Sequence, residues 1–230
     1  IRSDQLRTIA NGKGYNPQSW YYSYGWGQYA TAYAEALIGK TMLTDGVEEV
    51  KFGADAVTVN GYLGIDGVQP FIDVCKRDGR GIFTLVRTSN PSAGDLQDLK
   101  LEDGRTVYQA MADNVQNWGK ELIGENGFSS VGAVVGATVP EQAVEARKRM
   151  PNALILVPGY GAQGGDARIC ASLMKEAGGT VNSSRGILCA WKKDEGLKSK
   201  VEDGTITMDD IVASAATAAI KSKEDLLSYK

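Results

Sequence analysis

The chain has 230 residues, 43% hydrophobic and 23% charged, with a net charge of −3 and a pI near 5.2. That length suits one α/β barrel, and the mild acidity excludes a global electrostatic pull toward nucleic acid. There is no histidine, which excludes Ser-His-Asp and Cys-His catalysis and argues against a zinc site.

Residues 1–10 are polar and lack the apolar centre of a signal peptide. No run reaches the ~18 apolar residues that span a bilayer. Together these features predict a cytoplasmic protein. The chain opens on Ile1 rather than methionine, so its N-terminus is expected to lie upstream. Cys75, Cys170 and Cys189 are far apart, fit no metal-ligand spacing, and read as buried thiols. The aromatic cluster Trp20, Tyr21, Tyr22, Tyr24 and Trp26 reads as packing. A base-stacking platform would have basic residues interleaved.

From residue 50 the chain alternates strand and helix. Ala56-Val57-Thr58-Val59-Asn60 reads as a strand. Residues 68–78 form a helix, with Val68, Phe71, Ile72 and Cys75 at 3–4 spacing. A strand follows at 81–86, a helix at 106–123 and a strand at 131–135. The last is apolar throughout, as expected in a parallel sheet covered on both faces. Thr138, Pro140 and Glu141 predict a capped helix start, and Pro151 stops that helix. Next come a strand at 153–157, a helix at 167–177 ended by Gly178-Gly179, and a short strand at 180–182. Last is an amphipathic helix at 207–227, capped by Thr207. Lys192-Lys193 reads as a solvated surface pair. With no linker or repeat, residues 1–230 are expected to form one domain.

Five strands with helices between them predict parallel βα units. A doubly wound sheet would want G-x-G-x-x-G after its first strand, and none occurs. In a barrel the chemistry lies in the loops after the strands. Those loops are 60–64, 87–92, 136–138, 157–165 and 182–186, all polar or rich in glycine. Two of them look suited to a phosphomonoester. Val157-Pro-Gly-Tyr-Gly-Ala-Gln-Gly-Gly165 offers backbone N–H groups and Gln163. Asn182-Ser-Ser-Arg-Gly186 offers the guanidinium fork of Arg185.

These motifs, with Phe52-Gly-Ala-Asp-Ala-Val-Thr-Val-Asn-Gly-Tyr-Leu-Gly64, Val86-Arg-Thr-Ser-Asn-Pro-Ser-Ala-Gly94 and Val131-Gly-Ala-Val-Val-Gly-Ala137, resemble orotidine 5'-phosphate decarboxylase of the longer bacterial type. The resemblance covers roughly residues 28–193. It implies an α/β fold, a (β/α)8 TIM barrel, here with its N-terminal strands incomplete or mis-assigned. It also implies a cofactor-free homodimer that converts orotidine 5'-phosphate to UMP and binds no nucleic acid polymer or membrane. Motif by motif, Ser89 is implied at the pyrimidine edge, with Asn90 beside it. Gln163 is implied between base and phosphate, and Arg185 with the Gly186 backbone at the phosphate. Loss of CO2 leaves a carbanion at pyrimidine C6. The family stabilises it electrostatically and protonates it with the lysine of an Asp-x-Lys-x-x-Asp motif.

No copy of that motif stands in the N-terminal part of this chain, ahead of residues 32–36, where the family's third strand would fall. Asn11-Gly-Lys-Gly-Tyr-Asn16 could be a version with amides in place of both carboxylates. Alternatively, residues 17–26 match the second-strand segment and Ala32-Tyr-Ala-Glu-Ala36 the helix after the catalytic strand. In that longer match the third strand is skipped near residues 27–31, and no catalytic residue can be assigned. A barrel cannot lose two of eight strands and close unchanged. A non-catalytic nucleotide-phosphate binder is therefore the alternative reading. Another sugar-phosphate barrel enzyme is a third, without an identifiable Schiff-base lysine or acid–base pair.

Overall fold

The structure, a computed structural model, describes residues 26–43, 46–50, 52–161, 164–174 and 178–229. The alternatives at residues 11–16 and 17–25 lie outside the described residues, as do Gln163 and most of the aromatic cluster. In chain order the helices and strands are α1 (Trp26–Leu37), β1 (Thr41–Met42), β2 (Glu48–Glu49), β3 (Ala56–Val59), α2 (Ile65–Asp78) and β4 (Gly81–Arg87). Then come α3 (Gly94–Gln97), α4 (Val107–Gly119), β5 (Ser129–Val135), α5 (Pro140–Arg149) and β6 (Ala153–Pro158). Finally there are α6 (Ala167–Met174), β7 (Gly179–Asn182), α7 (Ser184–Leu188), α8 (Lys198–Glu202) and α9 (Met208–Leu227).

The chain divides into two compact units. The smaller takes the described residues up to Val57 and from Gly61 to Arg80. In it α1 packs on α2, and β1 and β2 pair as a short antiparallel hairpin. Helix α2 buries Val68, Phe71, Ile72 and Cys75, the face expected from their spacing, and Val74 in addition. It stops at Gly79, whose φ of 66° is left-handed and whose N–H bonds the Cys75 carbonyl. Arg77 grips Glu35 of α1 through two parallel bonds of 2.7 and 2.8 Å. That guanidinium, above all, holds the Glu35 carboxyl below its usual range.

The larger unit takes residues 58–60 and everything from Gly81 onward. Its sheet runs β3-β4-β5-β6-β7, and β4 through β7 pair in parallel. This is the α/β pattern expected from the alternation. Among the described residues the sheet stays open, with β3 and β7 at its ends. Val131, Ala133, Val135, Ile155 and Val157 are fully buried, as the continuous apolar runs require. Helices α4, α5 and α6 bury small faces, including Ala112, Val115, Ala143, Ala146, Cys170 and Ala171. Small side chains let these helices approach the strands closely.

Some expectations need correction. Thr138 does not cap α5. The residue before the helix is Val139, in extended backbone, with Pro140 opening the first turn. Thr138 therefore lies one position too early to reach the free amides, and so does Glu141 to return to the cap. Cys75 and Cys170 are buried, but Cys189 is only half-buried. Burial pushes both buried thiols up to about 11, which keeps them protonated and inert. Lys192 and Lys193 are exposed as expected, and Lys192 lies 5.3 Å from the Trp191 ring centre.

The Thr207 cap is present. Its hydroxyl accepts from the Asp210 N–H at 3.2 Å, and Asp210 accepts from the Thr207 N–H at 3.0 Å. Lys200, bonded to Asp210 at 2.6 Å, is the largest influence holding that carboxyl down at about 2, with Thr207 next. The resulting stabilisation is present above the ordinary carboxylate range and is lost as pH falls toward 2. Thr207→Ala is expected to lower stability by ~1 kcal/mol. A shifted urea midpoint with an unchanged slope checks it.

Candidate functional site

Because β4 to β7 run parallel, their C-terminal ends share one edge of the sheet. The loops at that edge are laced together strand by strand. The Gly136 N–H donates to the Arg87 carbonyl at 2.7 Å, joining the ends of β4 and β5. The Ala137 N–H donates to the Pro158 carbonyl at 3.2 Å, joining β5 to β6. The Ser183 hydroxyl donates to the Tyr160 carbonyl at 3.3 Å, joining β6 to β7. The Thr88–Asn90 segment, the Gly136-Ala137 turn, the glycine loop and the Ser-Ser-Arg loop therefore form one continuous polar rim.

Gly136 explains why the rim is compact. A Cβ placed there would lie 2.9 Å from Ser89 Cβ and 3.1 Å from the Ser89 nitrogen. Only a residue without a side chain lets the two backbones approach this closely. Gly136→Ala must push Ser89 outward. If Ser89 meets the base, UMP affinity should fall ~10-fold, the scale of a misplaced binding group, while ribose 5-phosphate affinity holds. Calorimetric titration of both ligands reads this directly.

The glycine loop is a tight fold of its own. The Gly161 N–H donates to the Gly165 carbonyl at 3.3 Å, and the Gly165 N–H to the Gly159 carbonyl at 2.9 Å. Gly159, Gly161 and Gly164 all have φ between 70° and 99°, a region closed to most side chains. Tyr160 anchors this loop from below. Its hydroxyl donates to Asp225 of α9 at 2.6 Å. Burial first, and that carboxylate second, push the phenol up to about 12.

A cavity of about 230 Å³ opens between the glycine loop and the Ser-Ser-Arg loop. It is lined by Pro158, Gly159, Tyr160, Asn182, Ser183, Ser184 and Arg185. Arg185 is exposed at its mouth, on α7. Among the described residues it makes no ion pair, so its charge is available to an anion. Gly186 is adjacent and exposed. A Cβ there would lie 2.5 Å from the Ser183 hydroxyl. Ser89 is half-buried and Asn90 exposed. The Asn90 side chain accepts from the Thr88 hydroxyl at 2.6 Å. The sequence-selected Ser89 and Asn90 thus lie on the loop after β4, and Arg185 and Gly186 on the short α7 after β7 at the same sheet edge rather than on a loop, while Gln163 lies outside the described residues.

Sequence reasoning missed three supports of this rim: Gly136 under Ser89, Asp225 under Tyr160, and Arg87 beneath Thr88. The first two carry no local signal, since each partner is distant in the chain. The third did carry one, a charge closing an otherwise apolar strand. The smaller unit holds a second cavity of about 530 Å³. Its charges are committed to one another: Arg77 to Glu35 and Asp78, and Lys40 to Glu48.

Known proteins resemble this chain in sequence and fold. The Orotidine 5'-phosphate decarboxylase / HUMPS family profile matches residues 36–198. An orotidine 5'-phosphate decarboxylase of Rhodopirellula baltica is 49% identical over 171 residues, covering 74% of this chain and 55% of that protein. One from Caldicellulosiruptor bescii is 46% identical over 165 residues, covering 71% and 53%. The chain therefore spans about half the length of the curated relatives it matches. The solved OMP decarboxylase of Leishmania donovani superposes with a TM-score of 0.55 at 26% identity, covering 86% of this chain and 64% of that one. The UMP synthase of the same organism superposes with a TM-score of 0.53 at 29% identity, covering 82% and 37%. A profile match across most of the chain, with relatives near half identity, means that the chain belongs to the orotidine 5'-phosphate decarboxylase / HUMPS family.

Proposed function

We propose that this chain carries the nucleotide-binding half of an orotidine 5'-phosphate decarboxylase, which releases CO2 to give UMP. The observation that carries this reading is the cavity between Tyr160 and Arg185, on the same laced rim as Ser89. Arg185 and the Gly186 backbone take the phosphate, Gln163 spans phosphate and base, and Ser89 with Asn90 faces the pyrimidine edge. Binding the phosphate, remote from the reacting carbon, contributes to transition-state stabilisation as well as to affinity. The C6 carbanion is stabilised by charge and then protonated. No residue of this chain is assigned to that step.

The remaining features belong to the same proposal: residues 1–230 as one barrel domain, a homodimer, and a cytoplasmic location. Among the described residues no helix is long and apolar enough to cross a membrane. Incubating the chain with orotidine 5'-phosphate and following CO2 release tests the activity. Turnover supports the enzyme. A second reading, a nucleotide-phosphate binder without turnover, is favoured because no Asp-x-Lys-x-x-Asp motif precedes residue 36, and the one match to that pattern, Asp98-Leu-Lys-Leu-Glu-Asp103, follows β4 instead. Tight UMP binding with no CO2 release would select it.

A further inference from the structure

We propose that Arg87 is a positioning residue that fixes the Thr88–Asn90 loop and so sets the selectivity of the site for a pyrimidine base. The inference rests on the nucleotide reading above. Arg87 is the last residue of β4 and is only 7% exposed. Its burial breaks the strand's alternation. Leu85 pairs with Val134 and Arg87 with Val135, so two steps on β4 oppose one on β5. Such a bulge turns the following side chain to the other face. Val86 and Arg87 are consequently both buried.

The guanidinium then binds three surrounding elements. Nε donates to Gln142 Oε1 of α5 at 2.6 Å. Nη1 donates to the Thr88 carbonyl at 2.8 Å and to Gln97 Oε1 of α3 at 3.2 Å. Nη2 faces Asp98 Oδ2 at 3.3 Å. Two of these partners also join each other, Gln142 donating to Asp98 Oδ1 at 3.0 Å. Gln97 returns to Thr88, accepting its N–H at 2.9 Å and donating to its hydroxyl at 2.8 Å. The same hydroxyl donates to Asn90. Every polar group of Thr88 is therefore held by Arg87, by a partner of Arg87, or by Asn90. Ser89 sits between two residues so fixed, with Gly136 behind it. Only a planar fork can address acceptors in these several directions; an ammonium is a point.

The test compares UMP with ribose 5-phosphate by calorimetry, in the unaltered chain, in Arg87→Met and in Gln97→Met. The expected result is a UMP affinity reduced 10- to 100-fold in Arg87→Met, on the order of a misplaced binding group, with ribose 5-phosphate affinity unchanged. Gln97→Met releases Thr88 while leaving Arg87 its other partners. It is expected to move UMP affinity in the same direction by a smaller factor, and it decides the matter if Arg87→Met does not fold. Equal losses for both ligands, or no loss for either, would overturn the inference alone. An unaltered chain that binds UMP no better than ribose 5-phosphate would overturn the nucleotide reading and the inference together.

Discussion

Replacing Arg185 with alanine is expected to lower UMP affinity by about 100-fold while leaving uridine affinity unchanged. The estimate follows from the chemistry of the pair. Hydrogen bonds to a charged group are worth ~1.5–3 kcal/mol, a guanidinium can offer a phosphate two at once, and ~1.4 kcal/mol is tenfold in affinity. Arg185 is exposed, so solvent screening sets the expectation below a buried pair's full value. Two controls sharpen the result. Added salt should weaken UMP binding to the unaltered chain more than to the variant, because the lost contact is the charged one. Arg185→Lys should fall between the two, keeping the charge but not the fork. An unchanged UMP affinity in Arg185→Ala would remove this residue from the phosphate site. Reduced affinity for uridine as well would mean that the loop had moved, not that a contact had been deleted.

The sequence made the larger unit legible because its strands are continuous apolar runs and its helices repeat at 3–4 spacing. Each expected strand from β3 to β7 is present with ends shifted by no more than two residues. Family membership then gives this α/β sheet its type, the TIM barrel, of which five consecutive strands are described here. What was not legible was long-range. Asp225 meets Tyr160 across 65 positions, and Gly136 meets Ser89 across a strand gap that only the folded register creates. Local pattern also failed where a residue breaks its own rule. Helix α5 ends Arg147-Lys148-Arg149, three adjacent charges, yet Arg147 is only 4% exposed. The hairpin of β1 and β2 is two residues a side, too short to leave a period. In each case the deciding interaction is tertiary, and a one-dimensional pattern records only what the local period repeats.

Arg147 carries the largest stability expectation. Its side chain runs inward from α5 and donates to three backbone carbonyls. Nη1 reaches Leu173 of α6 at 3.2 Å, and Nη2 reaches Ala153 of β6 at 2.9 Å and Met150 at the end of its own helix. It thus ties α5, α6 and the start of β6 to one planar group. Arg147→Met keeps much of the volume and removes all three of these hydrogen bonds. A buried polar group left without a partner costs ~1–3 kcal/mol, and partial relaxation lowers the sum, so the expected loss is ~3 kcal/mol. For a chain of this size each kcal/mol moves the melting point by ~2–4 °C, which places the shift near ~10 °C. Urea unfolding should show a lower midpoint and an unchanged slope. Arg147→Lys should recover part of the loss, since an ammonium can satisfy some of these carbonyls but not all from one point. A methionine variant as stable as the parent would mean that these carbonyls find other partners. The same experiment separates scaffold from site. Arg147 lies on the helical layer, not on the rim, so below its melting point the variant should bind UMP as the parent does. Arg185→Ala should show the reverse, with stability kept and affinity lost.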